Sequence, residues 1–171
     1  MVTQNSLNNT IGSNGQLYNA TTSKPPLFSN NSSLLIATLT LTSSQVKNLH
    51  STPITLISAA GSGKTILVYF ATGNLEYGGS NAFVATGSQI DLNYNNASGD
   101  TSTQAVMNNN AITATTGYSC FSTYNAGLGD FSSKYENQNI VIYQTNSTEI
   151  SGNAANDNAI KITALYSIFS I

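Results

Sequence analysis

The sequence predicts an all-β fold, a β-sandwich of jelly-roll type with one short helix and an extended N-terminal arm. Three observations carry that expectation. Short apolar runs with period-two alternation recur along residues 34–171, separated by clusters of Gly, Asn, Ser and Thr. Helical periodicity is absent except for a brief stretch near residue 45. Residues 1–33 are too poor in apolar side chains to bury enough surface to fold alone.

In chain order, the first segment is rich in Asn, Ser, Thr and Gly. It has few apolar residues, among them Leu7, Ile11, Leu17 and Tyr18, and a Lys24-Pro25-Pro26 run. It reads as an arm that another protein would order. The body begins at residue 34, and residues 34–41 are a β-prone run. Thr42-Ser43-Ser44-Gln45 then matches a capping box, and Val46 and Leu49 give the short helix behind it an apolar face. Residues 54–57 read as a short strand and residues 59–63 as a turn. Residues 64–74 form a long strand, with Ile66, Val68 and Phe70 on one side and Leu67, Tyr69 and Ala71 on the other. A strand apolar on both faces needs cover on both, and a neighbouring subunit would supply the second.

Tyr77-Gly78-Gly79-Ser80 reads as a turn, and residues 89–94 as a strand with Ile90, Leu92 and Tyr94 on one side. Residues 95–100 are a loop by their turn chemistry. Residues 103–107 and 111–118 are weaker strand candidates around Asn108-Asn109-Asn110. Residues 125–130 are Gly-rich, and residues 140–143 are a clear strand. A polar loop over 146–158 precedes the closing strand, residues 159–171. That strand places Ile160, Ile162, Ala164, Tyr166 and Ile168 on one face and Leu165, Phe169 and Ile171 on the other. The outward set Leu67, Tyr69, Leu165, Phe169 and Ile171 is the expected oligomer interface.

Composition narrows the function classes. The chain has 171 residues, enough for one domain that buries about two-thirds of its unfolded surface. Only 7% of residues are charged, against about 25% in ordinary soluble domains, and Arg and Trp are absent. A neutral surface of Asn, Ser and Thr suits a protein packed among partners. Net charge is −2, and Lys24, Lys47, Lys64, Lys134 and Lys161 are dispersed, so no basic cluster favours nucleic acid. The single cysteine, Cys120, excludes an intrachain disulfide and reads as a small apolar side chain. The first residues do not resemble a signal peptide, and no apolar run approaches the roughly 20 residues of a membrane helix. Synthesis in a cytoplasm without membrane insertion is therefore expected. Six Asn-x-Ser/Thr sequons are what so much Asn, Ser and Thr produces by chance.

Ser58-Ala59-Ala60-Gly61-Ser62-Gly63-Lys64-Thr65 imitates a phosphate-binding loop, with Ser58 where the first Gly belongs. That chemistry needs Lys-Thr to open a helix whose free N–H groups cradle phosphate. Ile66-Leu67-Val68-Tyr69-Phe70 follows, which is strand sequence, so the glycines are expected to supply positive φ in a turn. No cofactor is expected. The single histidine, His50, lies at the end of the short helix, where a capping or contact role is expected. Glu76, Asp91, Asp100, Asp130, Glu136, Glu149 and Asp157 lie mostly in or beside loops without metal-ligand spacing, and most of them read as solvated turn residues. No catalytic or metal site is therefore expected. Tyr77, Tyr118, Phe121, Tyr124, Phe131 and Tyr135 lie among Asn, Ser and Gly. Tyr118, Tyr124 and Tyr135 are the candidate ligand-loop residues, since rigid rings give contact area at little entropic cost. Packing under loops or at a subunit interface is the plainer role for these rings.

Leu41-Thr42-Ser43-Ser44-Gln45-Val46, then Leu49-His50-Ser51-Thr52-Pro53-Ile54-Thr55-Leu56-Ile57, Gly61-Ser62-Gly63-Lys64 and Tyr77-Gly78-Gly79 together resemble a group of small virion proteins of tailed bacteriophages. The likeness covers roughly half the chain and weakens across residues 95–135. It implies a jelly-roll module, often trimeric, that decorates heads or forms fibre-like appendages, and it brings no catalytic residues. The expected role is a minor capsid, decoration or fibre protein in the virion, a homotrimer held to other virion proteins by its arm. The alternative is a module reading a host-surface glycan through the Tyr-bearing loops.

Overall fold

A computed structural model describes residues 9–11, 17–19, 33–95, 105–123 and 133–171. The chain divides into two compact units, Met1–Ser33 and Leu34–Ile171. In the first, β1 (Asn9–Ile11) pairs antiparallel with β2 (Leu17–Asn19), Ile11 opposite Leu17. The segment read as an extended arm thus carries one short antiparallel strand pair. The sequence between them contains Asn14-Gly15, a pair favoured in tight hairpins.

The second unit is all-β, with two one-turn helices. Its strands are β3 (Leu35–Thr42), β4 (Ile54–Ile57), β5 (Lys64–Glu76), β6 (Phe83–Val84), β7 (Ile90–Tyr94), β8 (Tyr118–Thr123), β9 (Ile140–Gln144), β10 (Ser151–Gly152) and β11 (Ala159–Ser170). Antiparallel pairing gives a four-stranded sheet in the order β3-β11-β5-β8, a three-stranded sheet in the order β4-β9-β7, and a β10-β6 pair. Setting that small pair aside, each strand of one sheet is followed in sequence by a strand of the other. Ile66, Val68, Ile160 and Ile162 from the first sheet and Ile90, Leu92, Ile140 and Ile142 from the second belong to one buried cluster. The Tyr94 hydroxyl donates to the Ile66 carbonyl at 2.6 Å, satisfying a phenol that burial would otherwise penalise.

The helix α1 (Ser43–Val46) starts as its capping box predicts. The Gln45 N–H donates to Thr42 Oγ1 at 3.4 Å, and the Thr42 N–H to Gln45 Oε1 at 2.9 Å. Residues 111–118 are not a strand. They contain the end of a second helix, α2 (Asn109–Ile112), because Asn108 Oδ1 accepts the Ala111 N–H at 3.0 Å and caps it. The strand in this region is β8, whose Ser- and Thr-rich sequence shows little alternation.

The long strand departs from its expected facing after residue 68. Leu165 lies opposite Phe70 and Tyr166 opposite Val68, so Tyr69 is an extra residue in β5, a β-bulge. The phase reverses there. Phe70 points outward and Ala71 is fully buried, the opposite of a regular period of two. Gly73, two residues on, faces inward, where a Cβ would collide with the Met107 side chain.

Candidate functional site

Cross-strand partners share a face, so the registers define what the four-stranded sheet presents away from the core. One row is Ile36, Leu165, Phe70 and Thr123, and the next is Thr38, Thr163, Thr72 and Phe121. Thr40, Lys161, Asn74 and Ser119 follow. The face thus grades from apolar, through threonine, to an end carrying Lys161 and Glu76. Ile36 is 71% exposed and Phe121 73%. The Phe70 and Phe121 rings stack with centroids 6.0 Å apart. Leu67, Tyr69, Leu165 and Phe169, the positions expected at an interface, are half-buried, and Ile171 is exposed. Ile36, Phe70 and Phe121 are the open apolar positions that sequence reasoning did not assign to this face. The bulge turned Phe70 outward, and β8, which carries Phe121, had no clear strand signal.

The glycine turn before β5 holds a carboxylate where a phosphate loop would hold phosphate. Glu136 Oε1 accepts the Gly63 N–H at 2.6 Å and the Ser62 hydroxyl at 3.1 Å, while Asn137 Oδ1 accepts the Gly61 N–H at 2.9 Å. The Gly63 N–H, and then the Ser62 hydroxyl, hold the Glu136 carboxyl below the ordinary glutamate value. Gly61 and Gly63 have φ of 95° and 70°, as expected of a turn, and Lys64 opens a strand.

A second group of titratable side chains gathers at Tyr143 and Gln144 of β9. His50 Nδ1 lies 3.0 Å from the Tyr143 hydroxyl and 3.1 Å from the Gln144 carbonyl. The backbone N–H groups of His50 and Ser51 donate to Glu149 at 3.1 and 2.7 Å. Partial burial pushes the Glu149 carboxyl up, and the bonds from Ser51 and His50 outweigh it, leaving it below its usual range. His50 is thus a contact residue joining the α1 turn to β9.

Asp91, on β7 opposite Tyr143, is an exception to the reading of most acids as solvated turn residues. It is 8% exposed, its Oδ1 has no hydrogen-bond partner among the described residues, and burial lifts its carboxyl from 3.8 to about 6. Asp100 and Asp130 lie outside the described residues.

The three candidate ligand tyrosines do not form one platform. Tyr118 is exposed on β8, and Tyr124 lies outside the described residues. Tyr135 is 5% exposed, its ring 4.6 Å from that of Tyr94, so it is a core residue and its assignment to a ligand loop is corrected. Its place in a stretch of Asn, Ser and Gly suggested a surface loop, but the ring that ends the 3-10 turn Ser133–Tyr135 is buried. Burial pushes the thiol of half-buried Cys120 up. Among the described residues, no group of His, Cys, Asp and Glu is arranged to hold a metal ion, and no helix is long and apolar enough to cross a membrane.

No protein-family model, curated protein or solved structure matches this chain.

Proposed function

We propose that this chain is a non-enzymatic virion structural protein: a minor capsid, decoration or fibre component of a phage particle. In this reading its jelly-roll body closes into a homotrimer through the outer face of the four-stranded sheet, and residues 1–33 attach it to other virion proteins. The observation that carries the reading is that face, where Ile36, Phe70 and Phe121 stand open beside half-buried Leu165, Leu67 and Phe169. Contiguous exposed apolar surface on a folded domain marks an interaction site. Burying a side chain such as Ile36 or Phe121 is worth about 1.5–3 kcal/mol. Charge enters only at the far end of the face, so copies can meet there without opposing like charges. The low overall charge of the chain supports the same reading.

Strand order supports the jelly roll. Four strands face three, the chain changes sheet at each step, and an isolated bridge from Met107 to Ile90 adds a partner beside β7 where an eighth strand would pair. Trimeric closure and a place on a phage particle follow from the sequence resemblance.

The test is the oligomeric mass in solution and the content of particles. Light scattering on the eluted wild-type chain should give three times 17.9 kDa, and the Ile36→Lys/Phe121→Lys double variant should give a folded monomer. Deleting residues 1–30 should remove the protein from purified particles while the body stays folded. A monomeric wild type at tens of micromolar, or an unchanged copy number in deletion particles, overturns the corresponding part of the proposal.

A further inference from the structure

Residues 86–89 and 108–110 flank a surface cleft of about 250 Å³, lined by Gly87, Ser88, Gln89, Asn108, Asn109 and Asn110. Its walls are tied together from below. The Ile90 N–H donates to the Met107 carbonyl at 2.9 Å and the Val106 N–H to the Ile90 carbonyl at 2.8 Å. The first wall is also held from its other side, where the Thr145 N–H donates to the Gln89 carbonyl at 3.0 Å and Asn146 Nδ2 to the Thr86 carbonyl. The cleft is therefore part of the scaffold.

Its chemistry is uniform. Every side chain in the lining is an amide or a hydroxyl, none is charged, and none is a ring. Asn108 spends its Oδ1 on the Ala111 N–H, which leaves its amide N–H groups as donors. The amides of Gln89 and Asn110 are exposed and bond to none of the described residues. Among the described residues, one buried acceptor of this lining, Asn109 Oδ1, has no donor. Ser88 is fixed by Gln144, whose Nε2 donates to the Ser88 Oγ at 2.9 Å. A buried acceptor without a donor is a standing cost to the fold, which an incoming hydroxyl would relieve.

We propose that this cleft binds one neutral pyranose ring of a glycan. Sugar hydroxyls both donate and accept, which matches a lining of unspent amide donors beside the Asn109 acceptor. An anion or cation finds no counter-charge here. The volume falls below the roughly 300–1,000 Å³ of pockets for drug-sized ligands, which leaves room for a single ring. The terminal torsion of Asn109 is soft, so its oxygen turns toward the ring at little cost. The site stands apart from the outer sheet face and does not depend on the oligomer reading.

The experiment is a chemical-shift titration of the full-length ¹⁵N-labelled chain. The probes are the methyl glycosides of glucose, galactose and mannose, N-acetylglucosamine, and the anionic N-acetylneuraminic acid. At least one neutral sugar should shift the Asn109 and Asn110 signals with saturation at millimolar concentration. Gln89→Ala and Asn109→Ala should each weaken binding about tenfold or more, while Phe121→Ser leaves it unchanged. Gln89 is exposed, so its variant reports on binding even if Asn109→Ala disturbs α2. The proposal fails if no neutral sugar saturates, if both cleft variants bind like the wild type, or if the anionic sugar binds better than every neutral one.

Discussion

Replacing Asp91 by Asn should stabilise the protein at neutral pH and leave it nearly unchanged in acid. Asp91 is buried with one oxygen unpartnered among the described residues, and burial raises its carboxyl from 3.8 to about 6. The folded state thus holds the proton more tightly than the unfolded chain does. Stability from this group is fully present below pH 3.8, falls as pH rises toward 6, and stays reduced above it. At about 1.36 kcal/mol per pH unit, that displacement costs about 3 kcal/mol once the group is ionised. For a chain of this size the corresponding change in Tm is about 6–12 °C. An amide of the same shape carries no charge at any pH, so Asp91→Asn removes the pH-dependent part. Glu136, Glu149 and Asp157 have depressed values and oppose this trend in acid, but they are common to both proteins and cancel in the difference. Urea titrations of both proteins from pH 4 to 8 give the difference directly. A gap that is flat across that range, or one that closes toward pH 8, refutes the assignment of a buried, unpaired carboxylate.

Asn153 is fully buried at φ 44°. Its Oδ1 accepts from the Ser43 hydroxyl and the Asn158 N–H, and its Nδ2 donates to the Asn81 carbonyl and Asp157. Asn153→Ala leaves buried partners unsatisfied and puts alanine in the left-handed region, so urea unfolding should show a loss of about 3–5 kcal/mol. Asn153→Gly should lose about 1 kcal/mol less, since the backbone strain is gone. Gly73→Ala drives a methyl into Met107 and should cost about 1–3 kcal/mol. Combined with Met107→Ala, the total loss should fall short of the two single losses together by at least about 1 kcal/mol, because each change relieves the other.

What the residues disclose alone is local. The capping box at Thr42, the positive φ at Gly61 and Gly63, and the alternation through the first half of β11 all follow from interactions within a few positions, and each is found as expected. The composition already shows a neutral surface and an N-terminal segment unlike the body. The tertiary structure decides what depends on partners far away in sequence. The Tyr69 bulge arises where β5 is paired with β11, about a hundred residues later, and it exchanges the places of Phe70 and Ala71. Phe121 joins the outer face beside Phe70 only because β8 pairs with β5, since its own neighbours are Cys, Ser and Thr. Asp91 and Tyr135 are buried for the same reason: burial depends on which element packs against a residue, and Ser, Thr and Asn neighbours signal loops and edge strands alike. Period-two alternation tells that a strand has two faces, while pairing register and packing alone determine which face meets the core.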